Sequence, residues 1–205
     1  MQSYLQPSNY LPSLRSLNDV MNVTDLRSIL ELPKPPGFTP ELHETFESLR
    51  REVIFLHGVW DPYQQLFGTV EAVAALNSTA PGAFSLLGYV MRHELIMTIC
   101  RITDPKEMGK NENLTLDRLM HLVAKHAPDT QFVARLECQL EKLHCECKPF
   151  RTRRNRTLGH LDLQTALKTH PKLLPEIELA TFIDILKRIG DFMNAILCFY
   201  TSAHA

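Results

Sequence analysis

The residues best equipped for chemistry stand close together, between Lys148 and Asp162, in the stretch KPFRTRRNRTLGHLD. From Lys148 to Arg156 there are five positive charges (Lys148, Arg151, Arg153, Arg154, Arg156) and no acid, in a chain of formal net charge −1. Four of them are guanidiniums, which can grip a phosphate through paired N–H donors. His160 follows, and histidine is the side chain that changes charge near neutral pH and so can take or give a proton. The plainer readings are a solvated helix face for the charge run and a hydrogen-bonded core or cap position for the histidine.

Helical phase separates the arginines. At about 100° per residue, the apolar stripe that restarts at Phe150 passes through position 154, then Thr157 or Leu158, then Leu161. Arg154 therefore occupies a position where the pattern asks for an apolar side chain. It must face a partner or a cleft, because burying an unpaired guanidinium is very costly. Arg151 and Arg153 fall off the stripe and read as surface charges. On an unbroken helix His160 faces Arg153 and Arg156, not Arg154. Pairing with Arg154 needs a break of phase near Gly159, where the missing side chain loosens a helix, or a meeting across a dimer.

The elements that must position this stretch read as helices. Thr39-Pro40-Glu41 gives a cap, a first-turn proline and a first-turn acid, and Phe46, Leu49, Val53 and Leu56 follow at helical spacing. Asp61-Pro62 repeats the start signal ahead of Tyr63, Leu66, Phe67, Val70, Val73 and Ala74. Pro81-Gly82 opens a third helix through Phe84, Leu87, Met91, Leu95, Thr98 and Ile102, closed by Asp104-Pro105 and the polar loop KEMGKNEN. Leu116 to Val123, Asp129 to Cys147, and a long stripe from about Pro175 to Tyr200 complete the set. No stretch alternates with period two and no Asn-Gly or Asp-Gly hairpin turn occurs. The expectation is an all-α protein, an antiparallel bundle of four to five main helices with short extra ones. Residues 1–40, with six prolines, read as an arm holding one short helix and an extended linker, and 41–205 as the domain.

Arg154-Asn155-Arg156, Thr157-Leu158-Gly159-His160 and Leu161-Asp162 together resemble the signature of the HEPN superfamily in its abortive-infection branch. Trp60-x-x-Tyr63-x-x-Leu66-Phe67, Arg101-Ile102-Thr103-Asp104 and Asn113-Leu114-Thr115-Leu116 resemble the same branch, in the same order, so the likeness spans roughly residues 43 to 200. It implies a helical bundle that forms a homodimer, with Arg154 and His160 of both subunits lining one cleft that cuts RNA without a metal or other cofactor. His160 would then be the general acid or base and Arg154 the holder of the scissile phosphate. Asn155 would contact substrate, Asp162 would orient the imidazole, and Arg156 is the neighbour that straight helical geometry offers to His160. Lys148, Arg151 and Arg153 would form a basic rim for RNA phosphates. The resemblance also brings an antitoxin protein as a partner. Active members controlled by nucleotidyltransferases carry a tyrosine two residues beyond the histidine, where this chain has Asp162, and Gly159 stands where the branch usually has alanine. The alternative reading is a non-catalytic homodimeric module that binds RNA or a protein partner.

Other residues bear on these expectations. Glu94, on the apolar face of the third helix, is a candidate counter-charge for Arg154. Arg101 and Asp104 suggest a local ion pair or cap, or a brace for the Arg154 cleft from a neighbouring helix. Trp60 and Tyr63 suggest core, with base stacking as the rival. Five cysteines are an odd count that suits reduced thiols in a cytoplasm, and His144-Cys145-Glu146-Cys147 lacks a second ligand pair for a metal. Arg92, His93 and Glu94 interrupt the most apolar stretch, Ala80 to Cys100, and argue against a membrane span.

Overall fold

A computed structural model describes residues 34–202 of the chain; the short helix expected within the first forty residues lies outside them. Packing begins before the first helix. Pro35 and Phe38 close a turn (Phe38 N–H to the Pro35 carbonyl, 3.2 Å), and the Phe38 ring meets Phe46 and Tyr200 edge-on at 5.5 and 4.8 Å. The expected extended linker thus ends in a docked turn, since an aromatic ring can bury there.

Helix α1 runs from Pro40 to Phe67, capped by the Thr39 hydroxyl, which accepts from the Leu42 N–H. The second helix start expected at Asp61-Pro62 does not occur: α1 passes through Pro62 unbroken. An interior proline costs about 3 kcal/mol. Against that, Trp60 and Tyr63 on either side are both buried, and Trp60 stacks on Phe182 at 5.8 Å. Burial of each large side chain is worth about 1.5–3 kcal/mol, so packing wins. The break falls instead at Gly68, where an added Cβ would lie 2.3 Å from the Gln64 carbonyl oxygen. Thr69 then caps α2, Val70–Thr79.

Helix α3 spans Pro81–Thr103 and has two characters. From Leu95 onward its inner face is fully buried, whereas none of α2 and no residue of α3 before Leu95 is buried. The polar loop after α3 contains a two-residue antiparallel ladder, β1 (Glu107–Met108) with β2 (Asn111–Glu112), turned at Gly109 with φ 66°. Helices α4 (Leu116–His126) and α5 (Thr130–Glu146) are capped by Thr115 and Asp129, the latter at the expected start. A short α6, Lys148–Arg153, continues into a π-helix, Arg154–Leu158, followed by one turn of helix, α7, at Leu163–Ala166.

The last helix, α8, covers Leu179–Ser202 and buries Phe182, Ile185, Leu186, Ile189, Phe192, Met193, Ile196 and Tyr200. Ile183, expected on that face, is 42% exposed. Helix α1 packs on α3, α4 and α8, α5 lies on α8 and α4, and α3 supports α6 and the π-helix. Five long helices and a few short ones make this an all-α bundle. Among the described residues, no helix is long and apolar enough to cross a membrane.

Candidate functional site

The site is built on the C-terminal end of α3. Asp104 follows that helix, where exposed carbonyls already make the potential negative, so its buried carboxylate needs cations. Two arrive from α6 and the π-helix. Arg154 Nη1 donates to Asp104 Oδ2, and Arg151 Nε lies 3.5 Å from Oδ1. Arg154 Nε also donates to Asn155 Oδ1 at 3.0 Å. Only 17% of the Arg154 side chain is exposed. The counter-charge for Arg154 is thus Asp104 and not Glu94, which accepts from Arg101 (3.1 Å) and Thr98 (2.9 Å) on its own helix. Of the two roles open to Asp104, the brace from a neighbouring helix is the one observed, and Arg101 takes no part in it.

Arg151 and Arg153 are not the surface charges their phase suggests. Arg151 donates to the carbonyls of Thr103 and His144, fastening α6 to the ends of α3 and α5. Arg153 reaches the Pro175 carbonyl at 2.9 Å, Arg156 the Lys172 carbonyl at 3.0 Å, and Arg92 of α3 the Ile177 carbonyl at 2.7 Å. Three guanidiniums therefore stitch the irregular segment 167–178 to the bundle. The captured carbonyls of Pro175 and Ile177 explain why α8 starts at Leu179 and not near Pro175. Burial, and the neighbouring Arg92, hold the Arg153 pKa below its usual value. The guanidiniums of Arg151 and Arg153, expected in a phosphate rim, are thus engaged by backbone carbonyls, whereas Lys148 stays exposed.

The helical phase does break before His160, by a route other than the one the sequence suggests. The Gly159 N–H bonds the Arg154 carbonyl at 2.7 Å, an i to i−5 closure, and the Thr157 hydroxyl takes the Arg153 carbonyl at 2.7 Å. A hydroxyl that claims a helical carbonyl loosens the α-register, and π-turns gather at functional sites. Gly159 itself is ordinary: its φ is −78° and an added Cβ would sit 3.6 Å from the Arg154 oxygen. The expected stripe stops at Leu158, since Leu161 is 79% exposed.

The family model for AbiU2, a HEPN domain, matches residues 39–204, most of the chain. The chain belongs to that family. No curated protein and no solved structure matches it. It is therefore a HEPN-superfamily domain of the abortive-infection type, as the resemblance implied.

Within the chain no hydrogen bond among the described residues joins His160 to Arg154. His160 is exposed, and no hydrogen bond among the described residues involves its ring. Asp162, expected to orient it, instead caps α7, accepting from the Thr165 N–H (2.8 Å) and hydroxyl (2.6 Å); those bonds lower its pKa. Arg156 is occupied by Thr165 and the Lys172 carbonyl, while Asn155 is exposed beside Arg154. Leu161, Leu163, Leu167 and Leu173 surround this stretch with exposed apolar surface.

The buried cysteines near the Arg154–Asp104 pair are structural. Burial pushes the Cys100 thiol up to about 12 and the Cys147 thiol up to about 11, so neither is a nucleophile near neutral pH. Trp60 and Tyr63 belong to the core. Sequence reasoning missed His93, beside Arg153 and against the Tyr89 ring at 3.7 Å, whose pKa falls through burial and then through Arg153 and Arg92. It also missed His170 and Lys172, which with Lys148, Thr152 and Arg156 line an open groove of about 390 Å³ beside α6. No helical period links residues 148 and 172, so nothing in the pattern could have joined them.

Proposed function

We propose that this domain is a metal-independent endoribonuclease of toxin or abortive-infection type that works as a homodimer. The observation that carries the reading is the anchoring of Arg154. Asp104 and Asn155 fix its Nη1 and Nε, and Nη2 has no protein partner among the described residues, so the guanidinium is oriented before any substrate arrives. A pre-aimed cation stabilises charge that develops on a phosphate without reorganising during the reaction.

The chemistry proposed is in-line attack within RNA. A neutral His160 imidazole takes the proton of the ribose 2′-hydroxyl, whose oxygen attacks the adjacent phosphorus. The bond to the 5′-oxygen breaks, leaving a 2′,3′-cyclic phosphate, and the departing oxygen takes a proton from a second, protonated imidazole. Arg154 holds the phosphate oxygens. In a homodimer, the second imidazole is His160 of the other copy. The exposed leucines around His160 and the unburied, apolar first half of α3 (Leu86, Tyr89 and Val90 are each more than half exposed) support such a contact. An antitoxin that covers this face belongs to the same reading.

A specific observation favours the non-catalytic alternative: no side chain among the described residues hydrogen-bonds His160, and Asp162 is committed elsewhere. One experiment separates the two. Structured cellular RNA is incubated with purified protein and a chelator, beside His160→Ala and Arg154→Ala. Cleavage by wild type that either substitution removes is expected. RNA left equally intact by all three would overturn the nuclease reading. Sedimentation of the same samples reports the dimer.

A further inference from the structure

The groove between α6 and the 170–175 loop lies on the same segment as Arg154, yet its lining is independent of the Arg154–Asp104 anchor. Lys148, Arg156, His170 and Lys172 bring positive or proton-bearing groups to it, and no acid is among its lining residues. Its architecture is fixed by the backbone. Arg156 Nη1 holds the Lys172 carbonyl, and the Lys172 N–H donates to His170 Nδ1 at 3.0 Å. The ammonium groups of Lys148 and Lys172 make no hydrogen bond or ion pair among the described residues, although each could reach solvent or a ligand. Leu173, 93% exposed, stands beside Pro175 as an apolar wall.

We propose that this groove is an RNA subsite, taking one nucleotide of the strand whose scissile linkage lies at Arg154; the proposal rests on the reading of this domain as RNA-directed. The cations meet the phosphate and the wall of Leu173 and Pro175 meets the base or ribose. A volume of about 390 Å³ falls at the small end of ligand pockets, a size for one nucleotide rather than a duplex. At about 1.5 Å of rise per residue, Lys148 lies roughly 9 Å along the axis from Arg154, so a single strand can engage both. An acidic protein tail would satisfy the lysines but leaves the apolar wall without a role.

The test uses the full chain and a single-stranded oligonucleotide of about twelve nucleotides, methylated at every 2′-oxygen so that it binds without being cut. Affinity is measured against salt for wild type and the double variant Lys148→Gln/Lys172→Gln. Both lysines are exposed and their side chains bond nothing among the described residues, so the double variant keeps the wild-type melting curve. Losing two phosphate contacts lowers the log–log salt slope by about 1.4 and weakens binding roughly 20-fold near 0.1 M salt. Equal affinity and slope for wild type and the double variant overturn the subsite, even where wild type cuts RNA. Loss of binding in the double variant by a wild type that cuts no RNA upholds the subsite while the nuclease reading fails. Retained RNA binding with loss of an acidic polyglutamate probe instead assigns the groove to protein and overturns the proposal. A further arm with uridine monophosphate and inorganic phosphate distinguishes a nucleotide site, where only the former competes, from a bare anion site, where both compete equally and the role of the apolar wall is lost.

Discussion

Arg154 and His160 stand on one segment, six residues apart, and are held in opposite ways. Upstream, every guanidinium from Arg151 to Arg156 reaches across to another element: a carboxylate at the end of α3, a carbonyl of α5, the loop before α8. Downstream of the π-turn, His160 and the leucines around it face outward with nothing to fasten them. Half of the site is assembled by folding. The other half stands exposed.

Asp104→Ala strikes hardest at the fastened half. Removing one partner of a buried pair strands the other, and a loss of about 3–5 kcal/mol in urea unfolding is expected. A loss under about 1 kcal/mol would show that Arg154 does not depend on this brace. His160→Ala is the counterpart in the free half. Cleavage of RNA should fall by a factor of about 10²–10⁴, with stability within about 0.5 kcal/mol of wild type. A clear destabilisation would mean that the histidine is packed after all, and the contrast between the halves would collapse.

Acid should weaken the fastened region next. Burial lowers the pKa of His57, His93 and His144, and Arg151 adds to the effect at His144. Each therefore binds its proton less readily folded than unfolded. The unfolded chain gains protons first as pH falls through the ordinary histidine value of about 6.5, so stability is lost below that point and is full above it. The melting temperature should drop by roughly a few degrees between about pH 7 and 5.5, and His144→Gln should flatten the fall; a pH-independent melt would contradict it. Smaller still, Asp162→Ala removes the α7 cap for about 1 kcal/mol, and Asp162→Asn should restore most of it because asparagine caps as well. If asparagine fails where aspartate works, the charge matters and not the cap. Gly159→Ala is expected to change stability by less than about 0.5 kcal/mol, since space for the methyl exists. A large loss there would move the break in phase back from the π-turn to the glycine.

The bundle was legible because its stripes recur at helical spacing for many turns, and start signals such as Thr39-Pro40-Glu41 and Asp129 mark where helices begin. Pro62 misled, since a local start signal carries no information about Trp60 stacking on a helix more than a hundred residues away. Arg154 was legible through phase, as a charge in an apolar position. Its partner was not, because Asp104 and Glu94 both lie on or beside the same helix, and only the packing of α3 against the π-helix chooses between them. Arg151 and Arg153 looked like surface charges because a periodicity count sees where a residue points and not the carbonyls within reach of so long a side chain.

A π-turn contains one residue more than the α-turn it replaces. Excising one residue between Arg154 and Leu158 would let the helix close in α-register without a gap, and everything beyond would turn by about 100°. His160 would swing to another side of the domain, and the carbonyls of the 170–177 loop would leave their arginines. The direction in which the histidine faces is thus set by a count of residues as much as by their kind, and a single-codon deletion could silence the site while leaving every one of its chemical groups in place.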